Sequence, residues 1–282
     1  MRSTADTAND PCSAFSHDDF ERLQTSVDLL DNRSFATKLT SAVGGVIERG
    51  VELLPSSVHD GLTKIVAGSL STALSGALLT MDKDTEGNSW DWFHKAVVTA
   101  TGAAGGATGL AGAAVELPIS TAIMLRSIAD IARSHGEDLR SDEVRLSCLQ
   151  VFALGSPSPA DDAAETGYWF VRATLSETVK DAMRYASSQG AANASAPWFV
   201  VTIHKVAERF GFAVSQKLAA QAVPVLGGIM GAIVNYAFID HFQQTARGHF
   251  TIRSLERKYG HDAVRNCFER IRTDKQSKSS QR

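Results

Sequence analysis

The chain has 282 residues, 44% hydrophobic and 21% charged, which supplies a sizeable core and excludes a mostly disordered protein. A mean hydropathy of −0.08 excludes a polytopic membrane protein built mainly of Leu-rich spans. A net charge of −3 and a pI near 6.2 argue against general nucleic-acid binding.

Met1–Asp6 lacks the apolar run of a secretory signal, so none is expected. Ser16-His17-Asp18-Asp19 opens a first helix, with Phe15 and Phe20 placed as a hydrophobic staple. Phe20, Leu23, Val27 and Leu30 then repeat at helical spacing. A second helix is predicted from Phe35 to Leu54, where Pro55 stops it, and a third after Ser56-Ser57 to about Met81. Asp82–Ser89 is a polar loop containing Gly87-Asn88. Helix resumes at Trp90 and runs to Val115, where Glu116-Leu117-Pro118 is expected to break or kink it.

Pro118–Ser134 reads as the next helix, closed by Gly136 at C′. Another starts after Ser141 and stops at Gly155, and Ser158-Pro159 restarts the pattern. A small-residue loop, Gly190–Pro197, precedes helices over Pro197–Ala222 and Pro224 to about Thr245. Ser254–Tyr259 with Gly260, then Asp262–Arg272, complete the ordered part. No alternating strand with hairpin turn chemistry stands out. The expected fold is all-α, a bundle of long helices. It divides into an N-terminal helical segment, 1–89, continuous with a main helical domain, 90–272, and a disordered basic tail, 273–282.

Cys12, Cys148 and Cys267 are odd in number, widely spaced and free of any CxxC pair. Neither a disulfide scaffold nor a zinc knuckle is expected, and reduced thiols in the cytoplasm fit best. Charge is unevenly placed. Residues 1–31 carry two basic against seven acidic side chains, a net −5, whereas residues 247–282 carry ten against four, a net +6. Arg247, Arg253, Arg257 and Lys258 are candidates for contact with anionic lipid, the alternative being a solvated helix face.

Two runs carry no charge: Ala96–Val115, between Lys95 and Glu116, and Leu218–Ile239, between Lys217 and Asp240. Each is long enough to cross roughly 30 Å of hydrocarbon as a helix. The first is mostly Ala, Gly and Thr, and the second is interrupted by Gln221, Pro224 and Asn235, so peripheral association is favoured over inserted hairpins. Gly102 with Gly106, Gly105 with Gly109, Gly227 with Gly231, and Gly68 with Thr72 place small residues four apart, which predicts close helix contacts. Neither GxxxxGK[ST] nor GxGxxG is present, so no nucleotide is expected.

Glu116-Leu117-Pro118, Leu125-Arg126-Ser127-Ile128-Ala129, Ala153-Leu154-Gly155, Pro224-Val225-Leu226-Gly227 and Leu255-Glu256-Arg257-Lys258-Tyr259-Gly260 occur in this order. In this the segment from Trp90 to Gly260 resembles the EcsC family. That family is named after a protein encoded beside ABC-transporter-like subunits, so the resemblance implies a link to transport or the membrane. No established reaction comes with it.

HExxH, GxSxG and DxDxDG are absent. Glu116, Arg126 and Asp130 form the best polar constellation, readable as a hydrolase site or as a structural ion pair of Glu116 with Arg126. His204/Glu208 and Asp240-His241/His249 give no complete ligand set, so neither metal nor cofactor is expected. Asn235, in an otherwise apolar run, is best explained by interhelical hydrogen bonding. The reading that follows is a non-enzymatic accessory protein, peripheral at the inner face of the cell membrane, with transporter subunits or lipid as partner. The alternatives are a hydrolase and a soluble helical protein binding an apolar ligand.

Overall fold

A computed structural model describes residues 10–30, 63–73, 110–156, 167–188, 195–222 and 227–280. These residues form α1 (His17–Leu30), α2 (63–73), α3 (Leu110–Ser134), α4 (Asp142–Leu154), α5 (Gly167–Ser188), α6 (Ser195–Ala222), α7 (Gly227–Tyr259) and α8 (His261–Ser280). The fold is all-α. The helices expected over 35–54 and 90–109, and the stripe Gly102, Gly105, Gly106 and Gly109, lie outside the described residues.

The long helix α7 has 33 residues, about 50 Å at 1.5 Å per residue, and packs against α1, α3, α4, α6 and α8. Polar contacts set its register with α3: Glu116 meets Asn235, Ser127 meets Gln243, and His135 meets Thr251. The numbers rise together, so α3 and α7 run parallel. Phe152 of α4, Phe210 of α6, and Phe238 and Phe242 of α7 interlock in the main core with centroids 4.7–5.8 Å apart. A smaller core joins Leu23 and Val27 of α1 to Trp169 of α5, Ile252 and Leu255 of α7, and Phe268 and Ile271 of α8.

The helix ends follow local chemistry. Ser16 Oγ accepts the Asp19 N–H at 3.3 Å as the cap of α1. Gly136 and Gly260 close α3 and α7 with φ of 76° and 84°, a conformation that side chains resist. The last carbonyls of α4 are covered by side chains instead. Arg209 donates to Ala153 O and Ser156 O, and His241 Nε2 donates to Gly155 O at 2.6 Å.

Several expectations are corrected. The ELP segment does not break its helix, because α3 runs through Pro118 with Leu117, Ser120 and Thr121 buried on either side. Packing of that face outweighs the one ladder bond a proline removes. Residues from Thr273 to Ser280 are helical, not unstructured, and α8 is held there by Lys275 on Asp28. Gly68 is exposed, and no described atom lies within 4 Å of where its Cβ would sit, so it makes no close contact with the described helices. Close approach occurs at Gly155 and Gly248, where an added Cβ would lie 2.6 Å from the Phe242 ring and 2.8 Å from Leu30. The cysteines are not all reduced: Cys12 and Cys267 are disulfide-bonded with Cα atoms 4.9 Å apart, while Cys148 is a buried thiol. Distance along the chain hid that pair, since docking of the amino-terminal segment on α8 creates it.

Candidate functional site

Glu116 and Ser120 sit one turn apart on α3, Lys217 near the end of α6, and Asn235 and Phe238 on the first half of α7. All five are buried, and Lys217 has no solvent exposure. Lys217 Nζ donates to Glu116 Oε2 at 2.9 Å and Oε1 at 3.1 Å, and to Ser120 Oγ at 3.3 Å. Asn235 Nδ2 donates to Glu116 Oε1 at 2.7 Å, and the ammonium lies 5.2 Å from the Phe238 ring centroid. Burial pulls the Lys217 pKa down and the Glu116 carboxylate pushes it back, with a lowered value as the net result.

A serine beside a buried lysine invites a nucleophile reading, but the donors run the wrong way. Lys217 gives its protons to Glu116 and Ser120, and the Ser120 hydroxyl gives its own to Leu117 O at 3.2 Å. Lysine acts here as a cation shared among acceptors, not as a base. The arrangement joins three helices around one carboxylate.

The constellation expected from the sequence is not assembled. Glu116 and Asp130 lie on one continuous helix, about 21 Å apart at its rise per residue. Asp130 pairs with Arg133 at 2.5 Å, while Arg126 is exposed. Glu116 takes Lys217 in place of Arg126. The sequence did carry a signal, since Lys217 and Glu116 are the charges bounding the two uncharged runs, but 101 residues separate them.

The basic residues near the end of α7 are also engaged. Arg253 grips Glu137 through two bonds of 2.9 and 3.3 Å and reaches Glu143 at 3.0 Å. Arg257 donates to Glu137 at 2.5 Å and to His135 O at 2.9 Å. Burial alone would raise the Glu137 pKa, yet these two arginines bring it below its ordinary value. Lys258 holds Asp19 at 2.5 Å, and Tyr259 donates to the same oxygen at 2.8 Å. These two bonds keep the Asp19 carboxyl well below the usual range. Arg247 is half-buried, which lowers its pKa. The four cations proposed for anionic lipid are therefore not a free basic face.

A further chain of contacts escaped the sequence. Arg172 holds Glu256 through two bonds of 2.9 and 3.0 Å and donates to the Tyr168 hydroxyl, which lies 3.1 Å from Nδ1 of the fully buried His249. Burial pushes the His249 pKa well down and the Tyr168 pKa up. His204 and Glu208 are both exposed, Glu208 taking Lys205 at 3.2 Å, and among the described residues no three metal-ligating side chains gather.

The family model of the EcsC protein family matches residues 28–255, which spans the glycine-rich run, both partners of the buried ion pair and nearly all of α7. The chain belongs to the EcsC protein family. Neither a curated protein nor a solved structure matches it. In this EcsC-family chain the match covers Glu116, Lys217 and Asn235 but leaves α8 and Cys12 outside. No described helix is long and apolar enough to cross a membrane. The run Leu218–Ile239 is divided between the end of α6 and the start of α7, with Val234, Phe238 and Ile239 turned into the core.

Proposed function

We propose that this EcsC-family chain is a non-catalytic accessory protein that associates peripherally with the inner face of the cell membrane, docking on lipid or on a transporter subunit. The family relationship supports a membrane setting. The observation that carries the reading is three exposed apolar side chains toward the amino-terminal ends of α3 and α7, the apolar end of the helix pair that the Glu116–Asn235 bond joins. Ile119 on α3 is 47% exposed, and Ile233 and Tyr236 on α7 are 39% and 50% exposed. Apolar groups left outside a well-filled core mark surfaces that meet a partner or lipid, and a half-exposed tyrosine suits a membrane interface.

This assigns docking to the apolar end in place of Arg253, Arg257 and Lys258, whose charges are answered within the chain. Association should then be weakly salt-sensitive, because apolar burial is not screened as exposed ion pairs are. Fractionation of cells expressing the full chain tests it. The wild type should pellet with membranes, largely survive a high-salt wash and leave in alkaline carbonate. Ile233→Ser with Tyr236→Ser should shift it to the supernatant. A wild-type chain found wholly in the supernatant, or retained after carbonate, would overturn the proposal.

A further inference from the structure

The acidic start and basic end of the chain are folded onto each other. Asp10 pairs with Arg270, Asp19 with Lys258, and Asp28 with Lys275. Between these pairs Leu23 and Val27 are fully buried in the smaller core, and Phe15 packs on Tyr259 at 4.3 Å between centroids. One covalent bond, Cys12–Cys267, locks the leading end of the segment to α8. The segment thus covers a face bearing three cations and the apolar Leu255, Val264, Phe268 and Ile271, all at least nine-tenths buried beneath it and its neighbours.

We propose that residues 10–30 form a strap locked by Cys12–Cys267, and that reduction lets an anionic lipid surface displace its carboxylates from Lys258, Arg270 and Lys275. This rests on the membrane-associated reading above and adds its regulation. Three features point to it. The inner face of a membrane adjoins a reducing compartment, where a disulfide is cycled more readily than it is kept as a permanent staple. Cys12 is partly exposed while Cys267 is fully buried, so an incoming thiolate reaches Sγ of Cys12 first. The non-covalent hold combines the apolar contacts of Leu23, Val27 and Phe15 with three ion pairs, and anionic headgroups compete directly for the cations of those pairs. An oxidised strap cannot leave, because the disulfide keeps its leading end, with Asp10, beside Arg270 on α8.

The step balances with a dithiol as reductant. Its first thiolate attacks Sγ of Cys12 and expels the Cys267 thiolate, forming a mixed disulfide. Its second thiol then closes on the first sulfur and releases Cys12. Two electrons and two protons pass to the protein, leaving two cysteine thiols and a cyclic disulfide.

The experiment compares full-length protein, air-oxidised or reduced with dithiothreitol, for co-sedimentation with two vesicle types: phosphatidylglycerol mixed with phosphatidylcholine, and phosphatidylcholine alone. Reduced protein should bind the anionic vesicles several-fold more tightly than oxidised protein, lose that gain in high salt, and be cleaved faster within 10–30 by a protease. Cys12→Ser without reductant should match the reduced wild type. Arg270→Ala with Lys275→Ala should abolish the gain. Equal anionic-vesicle binding in both redox states, or three free thiols in the air-oxidised protein, would overturn the strap and leave the apolar end untouched. Failure on neutral vesicles in both states, with the redox gain on anionic ones intact, would instead remove lipid as the apolar end's partner and leave the strap standing.

Discussion

Lys217 shows what a single buried charge demands of its surroundings. Its ammonium has lost all contact with water, and among the described residues Glu116, with help from Ser120 and the Phe238 ring, answers it. Removing one partner should therefore cost more than removing both. Lys217→Met alone is expected to destabilise by about 3–5 kcal/mol, whereas Glu116→Leu combined with Lys217→Met should cost only about 1–3 kcal/mol, the loss of the acceptor for buried Asn235. Urea denaturation of the four proteins of this cycle measures it, and additive single effects would show that the two side chains do not depend on each other. Half of this site was legible in the sequence. A lone amide in an apolar run needs a partner, so Asn235 stood out, and Glu116 stood out beside the proline. Lys217 did not, because a charge at the edge of an apolar run looks like its solvated boundary until the fold brings another run's boundary against it. Gly155 is a second case. A methyl there would meet the Phe242 ring, itself wedged among Phe152, Phe210 and Phe238, so Gly155→Ala should cost about 1–3 kcal/mol in thermal or chemical melts. An unchanged melting curve would mean that the ring cluster can shift.

Helices were readable wherever a 3.6-residue apolar period ended in a glycine able to adopt positive φ, as at Gly136 and Gly260. The errors arose where local propensity competed with packing. Pro118 reads as a break or kink, yet α3 stays helical through it because its neighbours are buried. The polar end of α8 reads as a tail, yet it is helical to Ser280 with Lys275 on Asp28. Small-residue spacing pointed to Gly68, which is exposed, and passed over Gly248, where α1 crosses α7. Two effects oppose each other at Gly248. Alanine gains about 1 kcal/mol of helix propensity, and its methyl meets Leu30, a half-buried side chain at a helix end that can rotate away. Gly248→Ala is accordingly expected to be within about 1 kcal/mol of wild type. Gly248→Leu has no such escape and should cost about 1–3 kcal/mol while lifting the end of α1. Thermal melts combined with hydrogen exchange across residues 17–30 would show both effects. Unaltered exchange in the leucine variant would place the crossing elsewhere.

For the molecule as a whole, the net −5 and +6 at its two ends are complementary, and among the described residues three ion pairs, Asp10–Arg270, Asp19–Lys258 and Asp28–Lys275, bring them together. Its response to pH follows from groups that the fold holds away from their ordinary titration. His249 is kept neutral by burial, and His135 is lowered by burial as well. When a folded-state histidine pKa lies below its unfolded value, the unfolded chain takes up the proton first as pH falls. Stability is then complete above about pH 6.5 and declines below it. Asp19 and Glu137 are also depressed, but they belong to a different window: their contribution is complete above the ordinary carboxylate range and is lost only on passing below it. Between roughly pH 6.5 and 4.5 the histidines therefore set the slope. For fully buried His249 that slope approaches about 1.4 kcal/mol per pH unit, one proton's worth. His249→Gln removes this titration, at the expense of some stability at neutral pH because the contact with Tyr168 changes. Urea midpoints measured from pH 7.5 down to pH 5 should fall for the wild type and fall less steeply for His249→Gln. Parallel curves for the two proteins would mean that His249 meets water in the folded state, and would remove the buried Tyr168–His249 contact from the account of what joins α5 to α7.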